Sequence, residues 1–135
     1  MRKYALDRTS TLLRRLVFHL HRAARFHDAD SIHDLRVSIR RFQQCLAVFE
    51  QFFPRGPVKK ISKRLQKVTE LSGEIRNRDI ALDLLGRAGA PDESVVLAGL
   101  LHQKKQFQSE LARWLRRWGK REISRKWRVR LKIRS

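Results

Sequence analysis

A row of polar and cationic side chains at three- and four-residue spacing is the feature of this sequence best suited to chemistry. His33, Arg36, Arg40 and Gln44 follow one another at that pitch, with Arg41 on one flank. On a helix wheel at 100° per residue they cluster almost opposite Leu35, Ile39, Phe42, Leu46 and Phe49. Successive side chains then stand about 5–6 Å apart on the helix surface. A ladder of cations at that pitch can follow a linear chain of phosphates, because each guanidinium fork grips phosphate oxygens in pairs. No Glu on that face compensates the charge, whereas an ordinary solvent face mixes both signs. Lys60, Lys63, Arg64 and Lys67 repeat the theme, set away from Val58, Ile61, Leu65 and Val68. Glu70 and Glu74 continue that face and offer partners to Lys67 and Arg78. If the two helices are neighbours, their outer faces form one basic channel. Arg14, Arg15, Arg22 and Arg25 add to it from an earlier segment.

Other chemistry is weaker. His33 suits a phosphate-oxygen donor that gains positive charge beside a polyanion. His19 and His21 stand two apart and point to opposite sides of a helix, so one metal ion cannot use both without distortion. With one cysteine, Cys45, and no carboxylate set beside these histidines, no metal site is expected. Asp79 and Asp83 share a helix face and could hold a magnesium ion, but charge balance with Arg76, Arg78 or Arg87 is the stronger reading. No glycine-rich phosphate loop occurs, and no cofactor is expected.

The elements that must position these residues read as four helices. Apolar residues recur at steps of three and four over 4–26, 31–53, 57–85 and 92–118. The second segment is the most regular, running Ile32, Leu35, Ile39, Phe42, Leu46, Phe49 and Phe53. In the fourth, Leu97, Leu100, Phe107, Leu111, Trp114 and Trp118 form a stripe that Lys104 interrupts. Asp28, Asp30 or Ser31 can cap the second helix, and Asp34 complements its dipole. Pro54 to Pro57 ends it and suits the first turn of the third. Gly73 marks either a close helix approach or a break. Short connections make antiparallel neighbours. The expected fold is therefore all-α, an antiparallel four-helix bundle over residues 1–118 with a basic C-terminal tail over 119–135. In the tail, Trp127 to Arg134 alternates apolar and basic at period 2, yet a lone strand has no sheet to join. The tail is expected to be disordered, or an arm that docks on a partner chain or polyanion.

The 135 residues amount to one ordinary domain, and 41% hydrophobic residues can fill a core. Against 13 acids stand 32 cations, 22 Arg and 10 Lys, for a formal net charge of +19. Repulsion at that charge opposes compactness, so a polyanionic partner is expected. Nucleic acid, an anionic lipid surface and a phosphate polymer all fit. One cysteine excludes an intrachain disulfide framework. No apolar run approaches the ~20 residues that span a membrane, and Arg14 and Arg15 interrupt any signal-like stretch. A cytoplasmic protein is expected, with no membrane role, since no helix joins exposed large apolar residues to its basic face.

Two stretches resemble a known family. His33-Asp-Leu-Arg-Val-Ser-Ile-Arg-Arg41 looks like the signature of the conserved-histidine α-helical domain, CHAD, supplying His33, Leu35, Arg36, Val37, Arg40 and Arg41 in register. Leu71 to Ile80 resembles a later family stretch, matching at Gly73, Arg76, Asp79 and Ile80. Asn77 stands there where Asp is commoner, and Ser72 adds one residue. The resemblance implies an all-helical fold that binds inorganic polyphosphate through a basic surface. Together with the basic helix faces it points to His33, Arg36, Arg40, Arg41, Lys60, Lys63, Lys67 and Arg76 as the binding residues. It also implies two four-helix halves facing each other, of which this chain is long enough for one. A homodimer would rebuild that arrangement, and polyphosphate granules would be its place in the cytoplasm. The family is sometimes fused to a triphosphate-processing enzyme, but no Glu-x-Glu-x-Lys stretch occurs here, so no phosphatase or kinase chemistry and no enzyme is expected. Two other readings compete: a nucleic-acid-binding protein, for which the basic face lacks interleaved aromatics, and a half-domain built for assembly with another chain.

Overall fold

Five α-helices and one 3-10 turn form most of the backbone in the computed structural model, which describes residues 1–92, 94–118 and 122–133. Helix α1 spans Arg2–Phe26 and α2 spans Ala29–Val48. The 3-10 turn is Glu50–Phe52, α3 is Arg55–Arg87, α4 is Val95–Trp118 and α5 is Glu122–Arg130. Among the described residues there is no strand. The apolar stripes turn inward as their spacing requires. Leu13, Leu16 and Leu20 of α1, Leu35, Ile39, Phe42 and Leu46 of α2, and Ile61, Leu65, Val68 and Ile75 of α3 are all buried in one core.

Side-chain contacts fix the helix directions. Thr9 Oγ1 lies 3.2 Å from Cys45 Sγ, and Arg22 Nη1 donates to Asp34 Oδ2 at 2.9 Å. The start of α1 therefore meets the end of α2, and the reverse. In the same way Lys67 pairs with Glu110 at 3.5 Å and Asp79 with Lys104 at 2.6 Å, so α3 and α4 are antiparallel. The interruption of the α4 stripe by Lys104 thus has a cause: its ammonium crosses to α3.

The joins follow local chemistry. His27 closes α1 in the left-handed region at φ 55°, its N–H bonded to Ala23 O. Asp28 is the residue that caps α2. Its carboxylate accepts from Ser31 N at 3.0 Å, and Ser31 Oγ donates to Asp28 O at 3.0 Å. The helical spacing of Phe49 and Phe53 did not extend α2 to residue 53. The helix stops at Val48, and an extended Phe53 re-enters the core behind the 3-10 turn. Pro57 sits in the first turn of α3, where its missing N–H goes unneeded. Gly73 does not break α3, which runs on to Arg87.

The largest departure is at the C-terminus. Residues 122–130 form a helix, and Ile123, Trp127, Leu131 and Ile133 are buried in the common core. Trp127 stacks on Phe42 with ring centroids 6.2 Å apart and meets Trp118 edge-on at 5.9 Å. Arg128 Nη1 donates to Ser10 Oγ on α1 at 2.6 Å. This packing displaces the expected disordered tail. Ile123, Trp127 and Leu131 repeat every four residues, and that period wins because it puts all three in the core, Trp127 against Phe42. Residues 119–121 and 134–135 of the expected tail lie outside the described residues.

One half-buried histidine makes the fold sensitive to acid. His19 Nδ1 is buried with no hydrogen-bond partner among the described residues. Burial pushes the His19 pKa down; nearby Asp34 opposes this and Arg22 reinforces it. The folded state then binds fewer protons than the unfolded one just below the ordinary imidazole pKa of about 6.5. The contribution is complete above that pH and is lost as pH falls toward the lowered folded value. Urea unfolding at about pH 7.5 and about pH 5.5 should show a drop that His19→Phe reduces.

Candidate functional site

The signature row on α2 does not stand as one uniform ladder. His33, Arg40 and Arg41 are exposed, whereas Arg36 is partly buried. Arg36 lies on the α2 flank nearest α3. Its Nη1 donates to Thr69 O at 2.8 Å and to Ser72 Oγ at 3.0 Å, and Ser72 Oγ donates in turn to Thr69 O at 3.0 Å. Its guanidinium passes over Gly73, where an added Cβ would stand 3.1 Å from Nη1. Gly73 is thus the floor that lets an arginine cross between two helices. Both bonds use Nη1, which leaves Nη2 and Nε of Arg36 as donors.

Arg36 is therefore both a strut and a cation. Burial lowers its pKa, and the charges of Arg76 and Arg40 lower it further. Arg40 follows Arg36 one turn on along α2, and Arg76 of α3 lines the same groove as Arg36, so three guanidinium groups share the α2–α3 seam. An anion bound there removes that repulsion. Arg36→Gln is expected to lose about 1–2 kcal/mol of stability, since a charged donor to two part-buried hydrogen bonds goes. Arg40→Gln, on the surface, should stay within about 0.5 kcal/mol. Thermal melts of the two variants separate strut from surface charge.

A groove of about 490 Å³ opens beside the cluster, at the start of α2. His33, Arg36 and Arg76 line it, with Lys104 from α4. Ile32, Ile75, Ile80 and Leu84 supply apolar wall, and Asp28, Asp79 and Asp83 supply acid. The acids are largely spoken for. Asp79 bonds Lys104, and Asp83 pairs with Arg87 at 3.1 Å. The expected intrahelical balance thus holds for Asp83, while Asp79 turns to α4 instead. Among the described residues no group of three or more His, Cys, Asp and Glu side chains is placed to hold a metal ion.

The structure brings together His33, Arg36, Arg40 and Arg76. Arg41 is exposed on the far flank of α2 from Arg36. Lys60, Lys63 and Lys67 do not join the cluster. On α3, Lys60 and Lys67 fall within about 20° of each other and roughly opposite Thr69, the residue on which Arg36 lands. Lys67 is engaged by Glu110 of α4. Glu74 holds Arg78 at 2.6 Å, and Arg78 in turn covers the Phe107 ring at 4.8 Å. The single continuous channel expected across α2 and α3 is thus split into two faces of α3. Sequence reasoning missed Ser72 and Thr69 as the acceptors that aim Arg36. The signal available was Gly73 itself.

A family model, the CHAD domain, matches residues 9–134. The chain belongs to the CHAD family. The match covers α5 as well as the four longer helices, consistent with α5 being part of the folded unit. CHAD domains are related in general to polyphosphate binding. Searches of curated proteins and of solved structures gave no significant match. Among the described residues no helix is long and apolar enough to cross a membrane.

Proposed function

We propose that this CHAD domain is a non-enzymatic module that binds inorganic polyphosphate at the α2–α3 seam. One observation carries the reading: His33, Arg36 and Arg76 line one groove, and Arg40 follows Arg36 one turn further along α2. A chain of phosphates supplies the negative charge that these groups lack. Arg36 is held by Thr69 and Ser72, so its remaining donors are aimed before the ligand arrives, which lowers the ordering cost of binding. Arg40 and His33 are free to adjust to successive phosphates. Titration of long-chain polyphosphate, with single-stranded DNA as competitor at equal phosphate, tests the reading. Displacement by DNA would favour the nucleic-acid reading instead.

We also propose that two copies pair beside this seam. Ile80 and Leu84 line the same groove and remain 47% and 60% exposed. An apolar edge next to a cationic cluster suits a contact that brings two clusters together. Light scattering with and without polyphosphate tests the pairing; a clean monomer in both would count against it. The site of action on this reading is the cytoplasm, at polyphosphate granules.

A further inference from the structure

Charge is not spread evenly over this bundle. A plane across its middle passes near residues 16, 39, 68 and 108, because Thr9 meets Cys45, Arg36 meets Thr69 and Lys67 meets Glu110. On one side lie the starts of α1 and α3, the ends of α2 and α4, and α5. Among the described residues that end holds 21 cations and 4 acids. The other end holds 8 cations and 8 acids. The entire net charge of the described residues thus sits at one end. The cluster at Arg36 lies at the waist, with His33, Arg36 and Arg76 inside the neutral half.

Helix direction adds to the imbalance. Helices α1 and α3 point their N-termini, the positive ends of their dipoles, toward the charged end. Neither has an acid in its first turn, and α1 opens on Arg2 and Lys3, α3 on Arg55. Cations at those positions work against helix stability. At the neutral end the opposite holds: Asp28 caps α2 and Asp30 sits in its first turn. A surface selected only for solubility would put its acids where the dipoles favour them at both ends. This chain does so at the start of α2 but not at the starts of α1 and α3, and a local conflict of that kind marks a functional surface.

The charged end also has relief. A groove of about 500 Å³ is lined by Arg2, Lys3, Leu6, Asp7 and Lys132. A second, of about 370 Å³, runs past Gln51, Phe52, Phe53 and Pro54 and shares Arg2 and Lys132 with the first. Asp7 is the one acid in either lining. We propose that this end of the bundle, centred on Arg2, Lys3 and Lys132, is a second phosphate-polymer surface, which a long chain held at the Arg36 cluster also reaches and a short one does not. The inference rests on the polyphosphate reading above. From Arg40 to the end of α2 at Val48 is about 12 Å at 1.5 Å per residue, and exposed Arg40, Arg41 and Gln44 lie along the way.

The test is Arg2→Glu/Lys3→Glu/Lys132→Glu, titrated with long-chain polyphosphate and with tripolyphosphate over a range of salt. Glu in the first turn of α1 suits the dipole, so folding should survive, and circular dichroism checks it. Long-chain affinity at low salt should fall at least about 10-fold, and the slope of log K against log salt should shrink by about 2, as for three lost contacts on a single-stranded polyanion. Tripolyphosphate affinity should stay within about twofold of wild type. Unchanged long-chain affinity and slope would overturn the second surface. Equal losses for both ligands would also overturn it, since the two surfaces would then not be separate. Arg40→Glu/Arg76→Glu in parallel isolates the other reading: if that variant binds both ligands as wild type does, the seam fails and the charged end stands alone. No binding of polyphosphate by wild type would remove both.

Discussion

Replacing Arg40 and Arg76 together by Glu should weaken polyphosphate binding by about 100-fold and leave the melting temperature near that of wild type. The magnitude follows from two charge-assisted contacts worth about 1.5 kcal/mol each at this exposure. Reversal adds repulsion and so makes the figure a lower bound. Both side chains are exposed, and neither makes a hydrogen bond or ion pair within the described residues, so the fold loses nothing it depends on. Arg36 is deliberately spared. A Glu at 36 would face Thr69 O and remove the α2–α3 strut, so lost binding could not be told from lost packing. The salt dependence gives a second readout. Each lost phosphate contact lowers the slope of log K against log salt by about 0.7 for a single-stranded polyanion. A double variant with full affinity and an unchanged slope would sink the seam as the site. A variant that loses DNA and polyphosphate equally would show a generic cationic surface instead.

How far the sequence reveals this arrangement depends on which neighbour each flank meets. The four long stripes are legible because burial is periodic: Leu35, Ile39, Phe42 and Leu46 can share one side of a helix only by going inside. The row on α2 is legible for the same reason in reverse. Its division is not. On the wheel Arg36 stands about 40–60° closer to the core side than His33 and Arg40 do, but nothing local says that α3 fills that flank. The lysines of α3 show the limit most clearly. Lys60, Lys63 and Lys67 avoid the core, yet avoiding the core leaves two flanks, and Lys67 reaches α4 through Glu110. At the C-terminus two periods overlap. Trp127, Val129, Leu131 and Ile133 alternate, while Ile123, Trp127 and Leu131 step by four. Val129 decides between them: it is 73% exposed, so the alternation is not what buries the chain.

Trp127→Ala should cost about 3–5 kcal/mol, the range for truncating a large buried aromatic. Trp127 is 1% exposed and is wedged between Phe42 of α2 and Trp118 of α4. Its removal leaves a cavity that three elements border and takes the largest buried side chain from the short helix that carries it. Nine residues are too few for α5 to persist on propensity alone. A domain of this size has about 5–15 kcal/mol in all, so the variant should melt well below wild type and show a lower urea midpoint. Val129→Ala, on the exposed side of the same helix, should change neither. The pair distinguishes a core helix from an appended tail, for which both substitutions would be silent. The result also bears on binding. Arg128 is drawn to Ser10 by a 2.6 Å bond, and Lys132 shares both charged grooves with Arg2 because the C-terminal segment is docked in the core. A ligand that bridges Arg2 and Lys132 favours the docked helix by mass action. Long-chain polyphosphate should therefore raise the melting temperature of Trp127→Ala, and tripolyphosphate should do so less.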